Sequence, residues 1–291
     1  MTASWWALAL LLGAGAGVAY WLLVVTEGAY LGPRVVRFLY DWGASTYDRV
    51  KEFDSVDDAK ALALPLIREL RGVHKALVLD VATGTGRFPL TLLRNLEFEG
   101  RILGLDISFR MLQQARRKAA QHGGRVLWLC KNGQELPFED ASFHAVSCLE
   151  ALEFMPQPRQ ALVDMARVLA PGGTMLISNR RGLDAALMPF RTFAREDLRE
   201  LLLELGLESV QTKQWQTYYD LVWARKPGRL SSELERGVLE DLLRCPACRA
   251  SALSREAAVL RCPTCWQAYL VKDDIICMDL VPKPEPPAAP R

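Results

Sequence analysis

Between Trp5 and Val25 the chain reads WWALALLLGAGAGVAYWLLVV, without one ionisable side chain. No other stretch limits the fold so tightly. A backbone in hydrocarbon must satisfy its own hydrogen bonds, so a lone spanning segment has to be helical. At about 1.5 Å per residue, roughly 20 apolar residues cross a core about 30 Å thick. Trp5, Trp6, Tyr20 and Trp21 lie toward the two ends, where amphipathic rings favour the interface. A cleaved signal peptide is the competing reading. It calls for a basic leader and a shorter apolar run, and residues 1–4 hold no Lys or Arg. The expectation is therefore an uncleaved single-pass anchor. Arg34, Arg37, Arg49 and Lys51 follow the run, which puts the N-terminus outside and the body in the cytoplasm. Gly13 and Gly17 form a GxxxG that suits helix packing, but small-residue filler explains it as well.

The remainder is globular. Half of the 291 residues are apolar and 24% are charged, enough to bury a core. The net charge of +2 excludes a polyanion binder held by bulk charge, leaving only a local patch. From residue 76 onward, apolar runs alternate with amphipathic segments, the pattern of a parallel sheet with crossover helices. Strands are expected near 76–81, 101–106, 125–130, 143–148 and 173–178, then 208–215 and 218–225. Helices are expected near 56–71, 87–95, 108–121, 158–169, 195–205 and 232–243. The aromatic, basic stretch 28–51 carries two Tyr-Asp pairs, Tyr40-Asp41 and Tyr47-Asp48. The boundaries follow as an anchor over 1–27, an α/β body over 28–226, a linker over 227–241, a cysteine-bearing ribbon over 242–281 and a Pro-rich tail over 282–291.

The run ALVLDVATGTGRF, residues 76–88, is a strand ending at Asp80, a small-residue turn and a helix start. Glycine there lets backbone approach a ligand where a Cβ would clash. A dinucleotide fingerprint fails in both registers, since Pro89 or Arg87 stands at the third glycine, and no G-K-[ST] follows. Asp106 ends the second strand, where a carboxylate accepts from both ribose hydroxyls in doubly wound folds. The bland alternative for Asp106 is an N-cap for the following helix. Together, loop and carboxylate favour a ligand with a free ribose.

Four motifs in order, DVATGTG (80–86), LDIS (105–108), NGQELPFEDASF (132–143) and RVLAPGGTMLI (167–177), resemble the class I S-adenosylmethionine-dependent methyltransferases. The nearest likeness is to the branch of ubiquinone/menaquinone-biosynthesis C-methyltransferases, over residues 40–226. The resemblance implies an α/β, Rossmann-like seven-stranded sheet with a reversed last strand. It also implies that Asp80, Ala82, Thr83, Gly84, Thr85 and Gly86 face the methionine and adenosine portion of the cofactor. Asp106 and Ile107 would meet the ribose, and Asn132 with Gly133 the adenine edge. Ala82 replaces a usual glycine, Asn132 a frequent Asp, and His144 an Asp whose place is structural. Methyl transfer gains most from positioning, and a base matters only where the nucleophile must lose a proton. Tyr47, Asp48, Glu150 and Glu153 are the candidates, each with a plain packing or solvated alternative. Arg180 and Arg181 suit an acidic substrate or a solvated turn.

Cys245, Cys248, Cys262 and Cys265 are spaced C-x2-C-x13-C-x2-C, two knuckles that complete a tetrahedral thiolate site. Zinc is the expected metal, with rubredoxin-type iron as the alternative. Cys130, Cys148 and Cys277 lie in apolar runs and read as buried thiols. The stretch from Leu242 to Leu280 resembles the small zinc-ribbon proteins that partner and activate methyltransferases, which implies a fused stabilising or partner-docking module. Its charges are nearly balanced and its aromatics few, a thin surface for nucleic acid. The reading as a whole is a membrane-anchored methyltransferase acting on a lipid-like, quinone-like or small hydrophobic acceptor. The alternatives are an RNA or protein methyltransferase that docks through the ribbon, and a non-catalytic cofactor-binding scaffold.

Overall fold

A computed structural model describes residues 2–51, 55–231, 239–250 and 253–279. The Pro-rich tail expected over 282–291 lies outside them. So does most of the helix expected over 232–243, of which Leu239–Leu242 is seen as a 3₁₀ turn.

Helix α1 (Thr2–Tyr20) continues through a π-helical turn, Trp21–Val25. The run Trp5–Val25 is long and apolar enough to cross a membrane and buries none of its length against the protein. It ends at a sharp turn where Gly28 adopts φ +77°; a Cβ there would meet Val35 Cγ1 at 2.9 Å. That close approach seats α2 (Pro33–Gly43) against the turn itself, and α3 (Tyr47–Lys51) follows. The helix expected over 56–71 is present but not uniform, because α4 (Ser55–Asp58) and α5 (Leu64–Glu69) flank a π-helical segment, Ala59–Ala63.

The expected strands follow as β1 (Leu77–Val81), β2 (Arg101–Asp106), β3 (Val126–Cys130), β4 (Phe143–Cys148), β5 (Leu169–Arg180), β6 (Glu208–Gln214) and β7 (Tyr219–Arg225). The helices between them are α6 (Arg87–Leu93), α7 (Phe109–Lys118), α8 (Pro158–Val168), α9 (Gly182–Ala186) and α10 (Arg195–Glu204). β1 is buried at all five positions, as a central parallel strand covered on both faces must be. β7 runs antiparallel to both β5 and β6, so it is the reversed strand. His144 on β4 is a cross-strand brace. It accepts from the Leu77 N–H on Nδ1 at 2.9 Å and donates from Nε2 to the Ser231 carbonyl at 2.9 Å.

The ribbon changes the strand count. β8 (Ser254–Glu256), β9 (Val259–Arg261), β10 (Ala268–Lys272) and β11 (Ile275–Cys277) join the main sheet, giving eleven strands in place of the expected seven. The order is β6-β7-β5-β4-β1-β2-β3-β11-β10-β9-β8. β11 pairs parallel to β3, with Ile275 opposite Trp128 and Cys277 opposite Cys130. The physical reason is the edge. Without β11, apolar β3 would offer an unpaired row of backbone groups. Leu260, Tyr269, Val271 and Ile276 accordingly pack in one core cluster with Leu103, Leu129 and Phe138. Cys130, Cys148 and Cys277 are buried thiols.

Candidate functional site

The strand order reverses at β1, which pairs with β2 on one side and β4 on the other. Ligands of open α/β sheets bind beyond the carboxyl ends of the strands at such a switch point. A cavity lies there, lined by Ala82 and Gly84 after β1, Asp106 and Ile107 after β2, Asn132 and Gly133 after β3, and Glu150, Ala151, Phe154 and Met155 after β4. An adjoining recess holds Asp80, Thr83 and Thr85. Nine of the ten residues expected at the cofactor therefore line one connected space. Gly86 does not; its α-carbon faces Ala115 of α7, where a Cβ would come within 3.1 Å.

Gly84 has φ +55° and nothing within 4 Å of where a Cβ would stand, so the turn leaves room beside its backbone. Ala82 takes the same left-handed conformation at φ +57°. Asp106 accepts from the N–H groups of Gly84 and Ser108, both at 2.8 Å. It is not the helix cap. Ser108 is, its Oγ accepting from the Met111 N–H at 3.1 Å. Burial is the main force raising the Asp106 carboxyl, to about 6, against the hydrogen bonds from Ser108 and Gly84. Asp80 accepts from Thr83 Oγ1 and Ser147 Oγ, both at 2.6 Å, and burial pushes it up to about 7. Two buried carboxyls this close to neutrality suit a ligand that brings positive charge and hydroxyl donors.

The roof comes from α2 and α3. The two Tyr-Asp pairs divide the work: Tyr40 and Tyr47 line the cavity, and their neighbouring aspartates fasten the roof to the body. Asp41 accepts from Ser108 Oγ at 2.6 Å. Asp48 accepts from Thr85 Oγ1 at 2.5 Å and Lys118 Nζ at 2.8 Å. Tyr40 donates to Glu27 Oε2 at 2.7 Å. The open space beneath is about 80 Å³. Small-molecule sites begin at roughly 300 Å³, so the roof must lift to admit a nucleoside.

Among the candidate bases, Asp48 is a roof fastener and lines none of these spaces. Glu153 is buried, accepting from Tyr219 OH at 2.5 Å, and burial raises its carboxyl against that bond and Arg180. The Tyr47 phenol borders the cavity; burial, then the Glu150 charge, hold it above its ordinary value, which suits a donor better than a base. Glu150 borders the cavity, the recess and a wider outer groove of about 990 Å³. Burial would raise its carboxyl, but Lys51 and Arg87 together keep it below its ordinary value. The groove is lined by Lys51, Lys60, Arg87, Arg180, Trp215 and Tyr218 among others. Arg180 is no solvated turn, since its guanidinium stacks near Phe154 and Tyr219. Arg181 stands 3.6 Å from Asp220.

Two residues escaped the sequence reading. Arg87, noted there only as a missing glycine, forms a fork to Asp58 at 2.7 and 2.6 Å and also donates to Glu150. Asp279 reaches from the ribbon to the Asn132 backbone N–H. Arg87 directly after the glycine turn was a visible signal; Asp279 had none. In the ribbon, the sulfurs of Cys245, Cys248, Cys262 and Cys265 all lie within 4.8 Å of one another. Tetrahedral zinc with bonds of about 2.3 Å sets its sulfurs about 3.8 Å apart, so this four-thiol set fits that ion.

Strand order, glycine turn and strand-two carboxylate define a class I methyltransferase fold. Residues 78–173 match the methyltransferase domain family. The demethylmenaquinone methyltransferase of Lactiplantibacillus plantarum is 33% identical over 144 residues, covering 48% of this chain and 60% of that protein. The chain thus spans less than two thirds of that relative's length. Magnesium protoporphyrin IX methyltransferase from Synechocystis PCC 6803, solved with bound S-adenosylmethionine, superposes with a TM-score of 0.54 at 18% identity, over 66% of this chain and 96% of that one. A complex between the Haloferax volcanii Trm112 methyltransferase activator and a methyltransferase gives 0.53 at 22% identity, over 65% of this chain and 97% of that one. Both solved structures share the fold.

Proposed function

We propose that this chain is an S-adenosylmethionine-dependent methyltransferase, anchored in a membrane by residues 5–25, that methylates a hydrophobic, quinone-like acceptor. The observation that carries the cofactor is Asp106, buried at the tip of β2 on the cavity wall and relieved of capping by Ser108. Asp106 would hold the ribose, Asn132 and Gly133 the adenine edge, and Asp80 the amino group by way of the polar recess. The bound cofactor supplies an electrophilic methyl group on a sulfonium. The chain's own part is to orient and enclose. The roof tyrosines close over the site and exclude water, and Glu150 with Arg87 forms the boundary between the cavity and the outer groove. Binding the acceptor in line at about 3–3.5 Å accounts for most of the acceleration that such a site gives.

The acceptor class draws on the apolar helix and on the relative named as a demethylmenaquinone methyltransferase. An anchor raises the effective concentration of a lipid-dissolved acceptor. The ribbon takes one zinc ion on its four cysteines, and its fusion to β3 suits a stabilising module that also docks a partner. The test is a calorimetric titration of the full chain in detergent with S-adenosylmethionine, with NAD as control. Micromolar binding to the first alone is expected, reduced at least thirtyfold (about 2 kcal/mol) in Asp106→Ala. Undiminished affinity in that variant would overturn the ribose assignment. Methyl transfer is then read as isotope passing from the cofactor to demethylmenaquinone, and folded protein that binds cofactor but transfers nothing would favour a scaffold.

A further inference from the structure

The foot of α1 is bonded to the segment between β5 and α10. Trp21 Nε1 donates to the Leu187 carbonyl at 3.0 Å, and Tyr30 OH donates to the Pro189 carbonyl at 2.7 Å. Arg191 Nη2 donates to the Ala29 carbonyl at 2.9 Å and its guanidinium lies over the Tyr30 ring. Residues 183–191 are thereby fixed level with the last turn of the apolar run. Phe190 is 95% exposed there, beside exposed Leu183 and Leu187.

α2 shows the same character. Its inward positions, Val36 and Tyr40, line the cofactor cavity. Its outward stripe, continuing from Leu31 through Arg34, Phe38 and Trp42 at helical spacing, is exposed, with Trp42 at 79%. Single exposed apolar residues need no explanation, but a contiguous group at the end of an apolar helix does. The occupant follows from continuity. Whatever touches Trp21 lies within a helical turn of the interface that a spanning α1 would meet, and Arg34 and Arg37 supply positive charge for anionic headgroups.

We infer that the outward face of α2 and the segment around Phe190 are seated in the headgroup–acyl boundary of the bilayer that α1 crosses. This rests on the anchor reading above. The roof of the cavity is then also the membrane-bound surface of the protein. A lipid-dissolved acceptor enters beneath α2 without passing through bulk water, and lifting the roof is a motion within the interface.

The test uses the full chain in lipid nanodiscs with p-benzoylphenylalanine placed singly at Phe38, Phe190, Leu11 or Leu96. Leu11 lies within α1. Leu96 is exposed between α6 and β2, at the amino end of that strand and so at the end of the sheet opposite the cavity. On illumination, lipid adducts are expected at positions 11, 38 and 190 and none at 96. Adducts at 11 with none at 38 and 190, or crosslinks there to a second copy of the chain, would overturn this inference and leave the anchor intact. Absence of lipid adducts at 11 as well would overturn both. All four positions are exposed, so the variants keep the fold; retained binding of S-adenosylmethionine checks it.

Discussion

The backbone N–H of Asn132 donates to Oδ2 of Asp279 at 2.6 Å, joining residues 147 positions apart. Lys131 Nζ stands 3.4 Å from the other oxygen, and the Met278 N–H donates to the Cys130 carbonyl at 3.0 Å. The end of the ribbon thus holds the turn that floors the cavity. Asp279→Ala should weaken S-adenosylmethionine binding about fivefold, the equivalent of about 1 kcal/mol. Asp279→Asn, which keeps an acceptor, should lose less. Calorimetric Kd values check both, and equal affinities in all three proteins would remove Asp279 from the site's support.

Cofactor affinity should rise with pH. Asp80 and Asp106 have folded-state values raised to about 7 and about 6, above their ordinary 3.8. Between those limits the folded, ligand-free protein binds more protons than the unfolded chain, so these groups stabilise it less as pH climbs from about 4 to about 7. A ligand bringing hydroxyl donors and an ammonium group favours both carboxylates ionised, so binding releases protons in the same window. Affinity should be higher at about pH 8 than at about pH 5.5, with Asp80→Asn flattening the upper part of the curve. Titrations in buffers of different ionisation enthalpy count the protons; a flat profile with no release would contradict the assignment.

Removal of metal should reach the whole fold. The ribbon's Leu260, Tyr269 and Ile276 share the core of the body, so losing the four-cysteine site loosens a sheet edge, not an appendage. Fresh protein should carry one zinc per chain by elemental analysis. Chelation should lower the Tm as one cooperative step. A separate early transition, with the main one unmoved, would show the ribbon to be energetically independent.

Ala82 holds a left-handed backbone that costs an L-residue about 1–2 kcal/mol. Ala82→Gly relieves it and adds freedom to the unfolded chain, for a net gain of about 0.5–1 kcal/mol. Thermal melts should show a Tm higher by about 1–4 °C, with cofactor affinity within twofold of the parent. A lower Tm would mean the Ala82 methyl packs usefully against the core.

Much of the sheet was legible because its strands are unbroken apolar runs ending in chemistry, as at Asp80 and Asp106. The four cysteines were legible through spacing alone. The apolar pattern marks β5 only from 173, because Pro171-Gly172-Gly173 looks like a turn, yet pairing with β4 carries the strand back to Leu169. The joining of β11 to β3 runs through backbone bonds, which leave no mark in side-chain type. Tyr40-Asp41 and Tyr47-Asp48 stand out in the sequence as two Tyr-Asp pairs, but their division into cavity lining and fastening depends on Ser108, Thr85 and Lys118 far along the chain. The π-helical break in the 56–71 helix keeps apolar spacing on either side, so periodicity passed over it.

The bond between Asn132 and Asp279 also sets an order of events during synthesis. At about 5–20 residues per second, the floor of the cavity leaves the ribosome roughly 7–30 s before the residue that secures it. Through that interval β3 is an open strand edge on a growing chain. The cavity is among the last parts of the molecule to be finished, although most of its lining is encoded in the first half.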